Sequence, residues 1–285
     1  MYEREKDMPG TLYLCATPIG NLEDITYRVL RTLKEVDLIA AEDTRNSIKL
    51  LNHFEIETPM TSYHEYNKFD KGRVLVDKLL EGQNIALITD AGTPAISDPG
   101  EELVKMAHAA GITVTSLPGA CACITALTLS GLPTRRFAFE AFLPADKKER
   151  KQILDSLVNE TRTLIIYEAP HHLLKTLNDL LGTLGNRRVT VCRDLTKKHE
   201  TVFLTTLAEA VEYYTANDPK GECVMVIEGK TFDELAQDSI DEWNKLPLGE
   251  HMQLYLDRGM DKKDAMKAVA KDRGVSKQEI YKQLL

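Results

Sequence analysis

The chain has 285 residues, 43% hydrophobic and 28% charged, an ordinary composition for a soluble protein and a length that suits about two domains. A net charge of −8 argues against a protein that coats nucleic acid nonspecifically, and no apolar run approaches the roughly 20 residues of a membrane span. Five cysteines without a CxxC pair read as reduced core thiols of a cytoplasmic protein, and residues 1–7 are too charged for a signal peptide.

Apolar runs near residues 12–16, 37–41, 60–63, 85–89, 113–117, 137–143, 163–167, 189–192, 202–204 and 223–227 predict strands. Helical spacing falls between them, as at Val74, Leu75, Leu79 and Leu80, or at Leu173, Leu174, Leu177, Leu180 and Leu181. This alternation predicts α/β layers around mainly parallel sheet. The first run ends at Thr17-Pro18-Ile19-Gly20-Asn21, and Asp24 is placed to cap a helix carrying Ile25, Val29, Leu30 and Leu33 on one face. Glu42-Asp43-Thr44-Arg45 follows the second run, and Ser62-Tyr63-His64-Glu65 the third.

The fourth run ends in a carboxylate, Asp90, and opens into Ala91-Gly92-Thr93-Pro94-Ala95-Ile96-Ser97-Asp98-Pro99-Gly100. Such loops at the carboxyl ends of parallel strands are where open sheets bind ligands: glycine permits close backbone approach and proline limits the order lost on binding. A rigid crossover loop without a ligand explains one such stretch equally well. The feature recurs, however, at residues 17–21 and at Pro118-Gly119-Ala120-Cys121, which together describe a pocket rim. A boundary is expected near 120–135, with Gly131-Leu132-Pro133 as hinge, giving lobes at 1–120 and 121–231 and a helical tail at 232–285.

In the second half, Tyr167-Glu168 and Arg193-Asp194-Leu195-Thr196-Lys197 end strands and would face the first lobe across a cleft. Two basic stripes stand out. Residues 135–151 hold six Lys/Arg (Arg135, Arg136, Lys147, Lys148, Arg150, Lys151) against three acids, and residues 187–199 hold five (Lys197 and Lys198 among them) against one. They suit a polyanion docked on one face, or merely solvated helix ends. In the tail, Gly274 separates two helical stretches, Ser276 and Glu279 make a capping-box pattern, and residues 261–285 carry seven Lys/Arg against four acids, the outline of a helix-turn-helix. GxGxxG, HExxH and paired CxxC are missing, and adjacent His171-His172 would diverge on a helix, so no metal site is expected.

Ala16-Thr-Pro-Ile-Gly-Asn-Leu-x-Asp-Ile-Thr26, Leu38-Ile-Ala-Ala-Glu-Asp-Thr-Arg45, Asp90 through Gly100, Leu117-Pro-Gly119, Ile124-Thr-Ala-Leu127, Gly131-Leu-Pro133 and Lys220-Gly-Glu222 occur in one order. Together they closely resemble the ribosomal RNA small subunit methyltransferase I family of the tetrapyrrole-methylase superfamily. The resemblance runs from about Gly10 to Gly229, and the helical tail matches in kind. It implies a two-lobed α/β homodimer of the class III methyltransferase type, with S-adenosylmethionine in the interlobe cleft. The implied reaction is methylation of a cytidine ribose 2′-hydroxyl in the decoding centre of 16S rRNA on the small ribosomal subunit.

By the superfamily pattern, Pro18, Gly92, Thr93, Pro94, Ile96, Ala120, Cys121, Tyr167, Leu195, Glu222 and Cys223 line the cofactor. Two departures stand out: Ala120-Cys121 replaces a hydroxyl-bearing pair, and Asp194 stands where the ribosomal family commonly has Glu. A protonated ribose hydroxyl is a poor nucleophile, so a base or a cation is needed. Glu42, Asp43, His64 and Glu168 are candidate bases. Arg45 and Lys197 are candidates to stabilise negative charge or hold phosphates, although Asp43 and Arg45 could equally form a structural ion pair. Arg135, Arg136, Lys147, Lys148, Arg150, Lys197 and Lys198 are candidates to bind RNA. The competing readings are a uroporphyrinogen or precorrin C-methyltransferase with the same cofactor site, and a noncatalytic ribosome-assembly factor.

Overall fold

A computed structural model describes residues 8–284. The first seven residues, whose charge argued against a signal peptide, lie outside the described residues. The first sheet holds β1 (Thr11–Cys15), β2 (Leu38–Ala41), β3 (Met60–Ser62), β4 (Ile85–Ile88) and β5 (Thr113–Leu117), in the order β3-β2-β4-β1-β5 with every pairing parallel. Side chains alternate between its faces. Leu12, Leu14, Ile85 and Leu87 pack with helices α3 (Lys68–Leu80) and α4 (Gly100–Ala109); Cys15, Ile39, Ala86 and Ile88 pack with α1 (Tyr27–Glu35) and α2 (Thr44–His53). Burial on both faces explains why these strands read as unbroken apolar runs.

The second sheet holds β6 (Phe137–Phe142), β7 (Thr163–Glu168), β8 (Arg188–Arg193), β9 (Thr201–Thr206) and β10 (Cys223–Ile227), in the order β6-β7-β10-β8-β9. Only β6 and β7 run parallel; the other three pairings are antiparallel. The expectation of mainly parallel sheet therefore fails in this half. The cause is the connection between β8 and β9: residues 194–200 are too few for the helical crossover that parallel strands require, so the chain turns straight back. Helices α6 (Lys147–Leu157), α7 (Pro170–Leu184) and α8 (Leu207–Ala216) cover one face.

Helix α5 (Ala122–Leu129) covers the other face, where Cys123, Ala126 and Leu127 pack with Ile165, Val224 and Val226. Ile19, from the loop after β1, and Leu195, from the loop after β8, belong to the same cluster. This shared core fixes how the first sheet's loops meet the second sheet.

The loop after β1 also corrects the expected cap. Asn21 accepts from the Glu23 amide at 3.1 Å and closes a short 3-10 turn, Leu22–Asp24, so Asp24 is already inside a turn. Thr26 caps α1 instead, its hydroxyl accepting from Val29 N at 3.2 Å.

The tail is helical throughout: α9 (Phe232–Lys245), α10 (Leu248–Asp257), α11 (Lys262–Asp272) and α12 (Lys277–Gln283). It has its own small core of Met252, Ala265, Met266, Val269, Ala270 and Ile280. The Gly274 turn and the Ser276–Glu279 capping box stand as the sequence indicated. Among the described residues no helix is long and apolar enough to cross a membrane.

Candidate active site in the interlobe cleft

A cleft of about 410 Å³ lies between the lobes, within the range of small-ligand sites. Its apolar walls come from both halves: Ile19 and Ile96 from the first, and Phe142, Tyr167, Leu195 and Val224 from the second. Its polar groups include Glu42, Asp90, Thr93, Asp98, Glu168 and Glu222.

Three loops at the carboxyl edge of the first sheet are tied to one another. Thr17 and Gly92 form an antiparallel bridge, and the Thr93 hydroxyl donates to the Ala120 carbonyl at 3.0 Å. The Asp98 carboxylate accepts from the amides of Ala95 (3.0 Å), Ile96 (3.2 Å) and Gly100 (2.7 Å), pinning the loop on itself. These bonds hold Ala95 and Ser97 at φ 66°, in the left-handed region. Ala141 (φ 51°), Asp194 (φ 50°) and Thr196 (φ 67°) share that conformation on the segments from the other lobe. Ala141 sits in a bulge of β6 next to Phe142, which the bulge directs toward the cleft. Backbone strain of this kind persists only where surrounding bonds over-determine it, and it clusters at functional sites.

Of the residues the resemblance placed around a cofactor, Gly92, Thr93, Ile96, Cys121, Tyr167, Leu195, Glu222 and Cys223 line the cleft. Pro18 lines an adjoining cavity instead. Pro94 and Ala120 are not on the cleft wall, though Ala120 contributes its carbonyl to Thr93. The Tyr167 hydroxyl accepts from Cys123 N at 2.9 Å, and burial together with the nearby thiols keeps that phenol protonated.

Cys121 and Cys123 have their sulfurs 3.3 Å apart. A hydrogen bond from Cys123, with backbone amides of Cys123 and Ile124 at the start of α5, pulls the Cys121 thiol down to about 6 despite desolvation. The same pairing and burial push the Cys123 thiol up. The short Asp194 side chain also has a local reason: Gly221, at φ 78°, leaves the space its carboxylate fills, and a Cβ there would collide with it.

The candidate catalytic residues separate. Glu42 lines the cleft and accepts from the Thr89 hydroxyl at 2.6 Å. Glu168 also borders it, but it is buried and accepts from Thr176 Oγ1 at 2.5 Å and from Ala169 N at 2.9 Å. Asp43 caps α2 and is bound through both oxygens by Arg45, at 3.1 and 2.7 Å, which holds its carboxyl down at about 2. This pair lies outside the cleft wall, as does His64, which packs its ring beside Asn67. Lys197 is engaged by Asp194 at 3.2 Å and Glu222 at 3.0 Å.

Asp90 was not among the candidates, although it ends the apolar run of β4. It lines the cleft, its carboxylate accepts from Asp43 N at 3.2 Å, and desolvation together with the neighbouring Glu42 raises its pKa.

The RNA-binding candidates also divide. Arg135, Arg136, Lys147, Lys148 and Lys198 are exposed. Arg150 is not: it is buried, donating to Asp179 at 2.7 Å and to Thr176 at 2.7 Å, which in turn donates to Glu168. Its charge is committed to joining α6, α7 and β7, so it is removed from the phosphate-binding set. The second stripe thins for the same reason, because Arg187 donates to four backbone carbonyls and Arg188 pairs with Glu228.

Residues 11–211 match the family model Tetrapyrrole (Corrin/Porphyrin) Methylases. The chain is 51% identical over 278 residues to ribosomal RNA small subunit methyltransferase I of Halalkalibacterium halodurans, covering 98% of this chain and 96% of that one. It is 45% identical over 280 residues to the Bacillus subtilis protein of the same name, covering 98% and 95%. The chain belongs to the ribosomal RNA small subunit methyltransferase I family of tetrapyrrole methylases. Solved structures share its fold at lower identity. Diphthine synthase superposes with a TM-score of 0.61 at 14% identity, covering 78% of this chain and 91% of that one. Uroporphyrin-III C-methyl transferase from Thermus thermophilus, complexed with S-adenyl homocysteine, does so with 0.54 at 20%, covering 77% and 97%.

Proposed function

We propose that the protein transfers the methyl group of S-adenosylmethionine to the ribose 2′-hydroxyl of a cytidine in the decoding centre of 16S rRNA. The substrate is the small ribosomal subunit, and the enzyme acts as a cytoplasmic homodimer. The observation that carries this reading is identity of 45–51% along nearly the whole chain, tail included, to relatives named for small-subunit rRNA methylation. The tetrapyrrole alternative has fold-level likeness alone behind it, at 18–20% identity.

The cleft's residues fit the cofactor. Its volume and apolar walls suit a nucleoside carrying an aliphatic sulfonium, and Asp90, Glu42 and Glu222 supply negative charge for a cation. When bound, the cofactor supplies a methyl group on a good leaving group. The protein supplies position: loops bonded to one another lose little order, and in-line alignment is worth up to about 7–11 kcal/mol at ideal geometry. Thr93, Ile96, Cys121 and Tyr167 form the cofactor-facing wall in this reading. Arg135, Arg136, Lys147, Lys148 and Lys198, with the basic tail, would meet phosphates.

Incubation with labelled S-adenosylmethionine tests the reading. Small subunits lacking the modification are expected to take up label in their RNA, and uroporphyrinogen is not. The reverse result would replace this function with the tetrapyrrole one.

A further inference from the structure

Two more cavities adjoin the cleft, and their chemistry differs. One, of about 350 Å³, lies between the loop after β1 and helix α2, and is lined by Pro18, Leu22, Asn46, Ser47, Lys49 and His53 together with Thr89 and Asp90. The other, of about 490 Å³, lies between α3 and α4, where Glu42, Glu65, Asp98, Glu101 and Glu102 face only Lys68 and Lys105. Both lysines are already paired, Lys68 with Glu65 and Lys105 with Glu101, each at 2.5 Å. A phosphodiester is repelled from that acidic cavity. The first has one carboxylate, one lysine, a histidine, amide and hydroxyl groups, and an apolar side, the mixture a nucleotide needs.

Thr89 and Asp90 line both this cavity and the cleft. Asp90 therefore stands at the passage between them. Its carboxylate is held by Asp43 N and by the Asn46 side chain, which leaves acceptor positions free, since a carboxylate offers about four.

We propose that this cavity seats the target nucleotide, and that Asp90 accepts the proton of its ribose 2′-hydroxyl. The proposal rests on the methyl-transfer reading above. As the hydroxyl oxygen's electron pair forms a bond to the methyl carbon, the O–H proton passes to Asp90. The carbon–sulfur bond breaks with its electron pair left on sulfur, giving a neutral thioether. Asp90 afterwards releases the proton to water. Lys49 and His53, at the cavity wall, take the flanking phosphates.

The test uses the full-length protein, S-adenosylmethionine and small subunits lacking the modification. Asp90→Asn should lower the single-turnover rate, measured at saturating cofactor, by about 100-fold or more, the usual contribution of a general base. Lys49→Glu, on an exposed position, should raise KM for subunits about tenfold with little change in cofactor affinity. Ser47→Leu, which fills the cavity, should do the same or worse. An Asp90→Asn variant within about threefold of the wild-type rate overturns the assignment of the base. Unchanged KM in both cavity variants overturns the seat. In either case wild-type labelling of subunits leaves the methyl-transfer reading standing; a wild type that labels no RNA overturns both.

Discussion

Thr17 and Gly92 exchange a pair of backbone hydrogen bonds, Thr17 N to Gly92 O at 2.9 Å and Gly92 N to Thr17 O at 3.0 Å. The bridge joins the loop after β1 to the loop after β4, elements 75 residues apart in sequence, at the edge of the cleft. Gly92 holds φ 84°, and a Cβ there would lie 3.2 Å from Ile19 Cγ2 and 3.5 Å from the Ala120 carbonyl. The site thus depends on a backbone position that only glycine adopts without strain.

Gly92→Leu should therefore weaken S-adenosylmethionine binding at least tenfold. Left-handed strain costs about 1–2 kcal/mol, which the two sheet cores should tolerate. Calorimetry beside thermal unfolding separates the two effects. Unchanged affinity in a folded variant would remove this loop from the cofactor site.

Cys121 should be the most reactive thiol of the protein. Thiolate is the nucleophile, so alkylation by iodoacetamide should rise with pH through about 6 and then level off. Cys15, Cys192 and Cys223 are pushed up to about 12 by burial and should stay unlabelled. Saturating S-adenosylmethionine should protect Cys121, because its side chain faces the cleft. Peptide mass spectrometry reads the site. A half-maximal rate near the ordinary thiol value of about 8.5 would contradict the sulfur pairing.

Arg150 and its neighbours Lys147 and Lys148 should behave in opposite ways. Arg150→Ala leaves Asp179 and Thr176 without the donor that Arg150 supplies, and should destabilise by about 1–3 kcal/mol, the cost of stranding such polar partners. Lys147→Ala with Lys148→Ala should leave the melting temperature unchanged. On the proposed function, that pair should weaken subunit binding and shallow its salt dependence by roughly one per lost phosphate contact. Equal destabilisation by both sets would refute the division.

The tail holds a histidine fixed as a neutral ring. His251 is buried, donates through Nε2 to Asp272 at 3.2 Å, accepts at Nδ1 from Arg273 at 3.1 Å, and stacks on Trp243 at 4.2 Å. Desolvation outweighs Asp272 and lowers its pKa, so the unfolded state takes up the proton first. Stability from this group is present above the unfolded value of about 6.5 and is lost as pH falls from there toward the lower folded value. Trp243 is the only tryptophan, and its fluorescence should report tail unfolding at progressively lower temperature below that pH. His251→Phe should remove the pH dependence; a tail equally stable across this range in the wild type would contradict the neutral assignment.

The strand positions were legible because each is an apolar run bounded by Gly, Pro or charge. Strand direction in the second sheet was not, since side-chain alternation carries no sign; the shortness of residues 194–200 was the one available signal. Gly92, Thr93 and Ile96 could be found because strand ends converge on one sheet edge. Asp90 was visible as a carboxylate ending a buried strand, but nothing local revealed that it borders two cavities. Arg150 was misplaced because a charge count ignores partners, and its partners lie 26 and 29 residues away on α7. The tail turn was legible because Gly274, Ser276 and Glu279 act within a few residues of one another.

The tail has its own core, so truncation after Lys230 should leave the two sheets and cofactor binding intact. On the proposed function it should slow methylation of the subunit. A truncated protein that works at the full-length rate would reduce the tail to an appendage.

The most direct measurement of the central claim is nucleoside analysis of labelled RNA. Small subunits lacking the modification are incubated with the enzyme and methyl-labelled S-adenosylmethionine, the RNA is digested, and nucleosides are separated by chromatography and mass. The account predicts label in 2′-O-methylcytidine, with far less from a naked decoding-centre hairpin than from the assembled subunit. Label on a base, or turnover on the hairpin equal to that on the subunit, would contradict it.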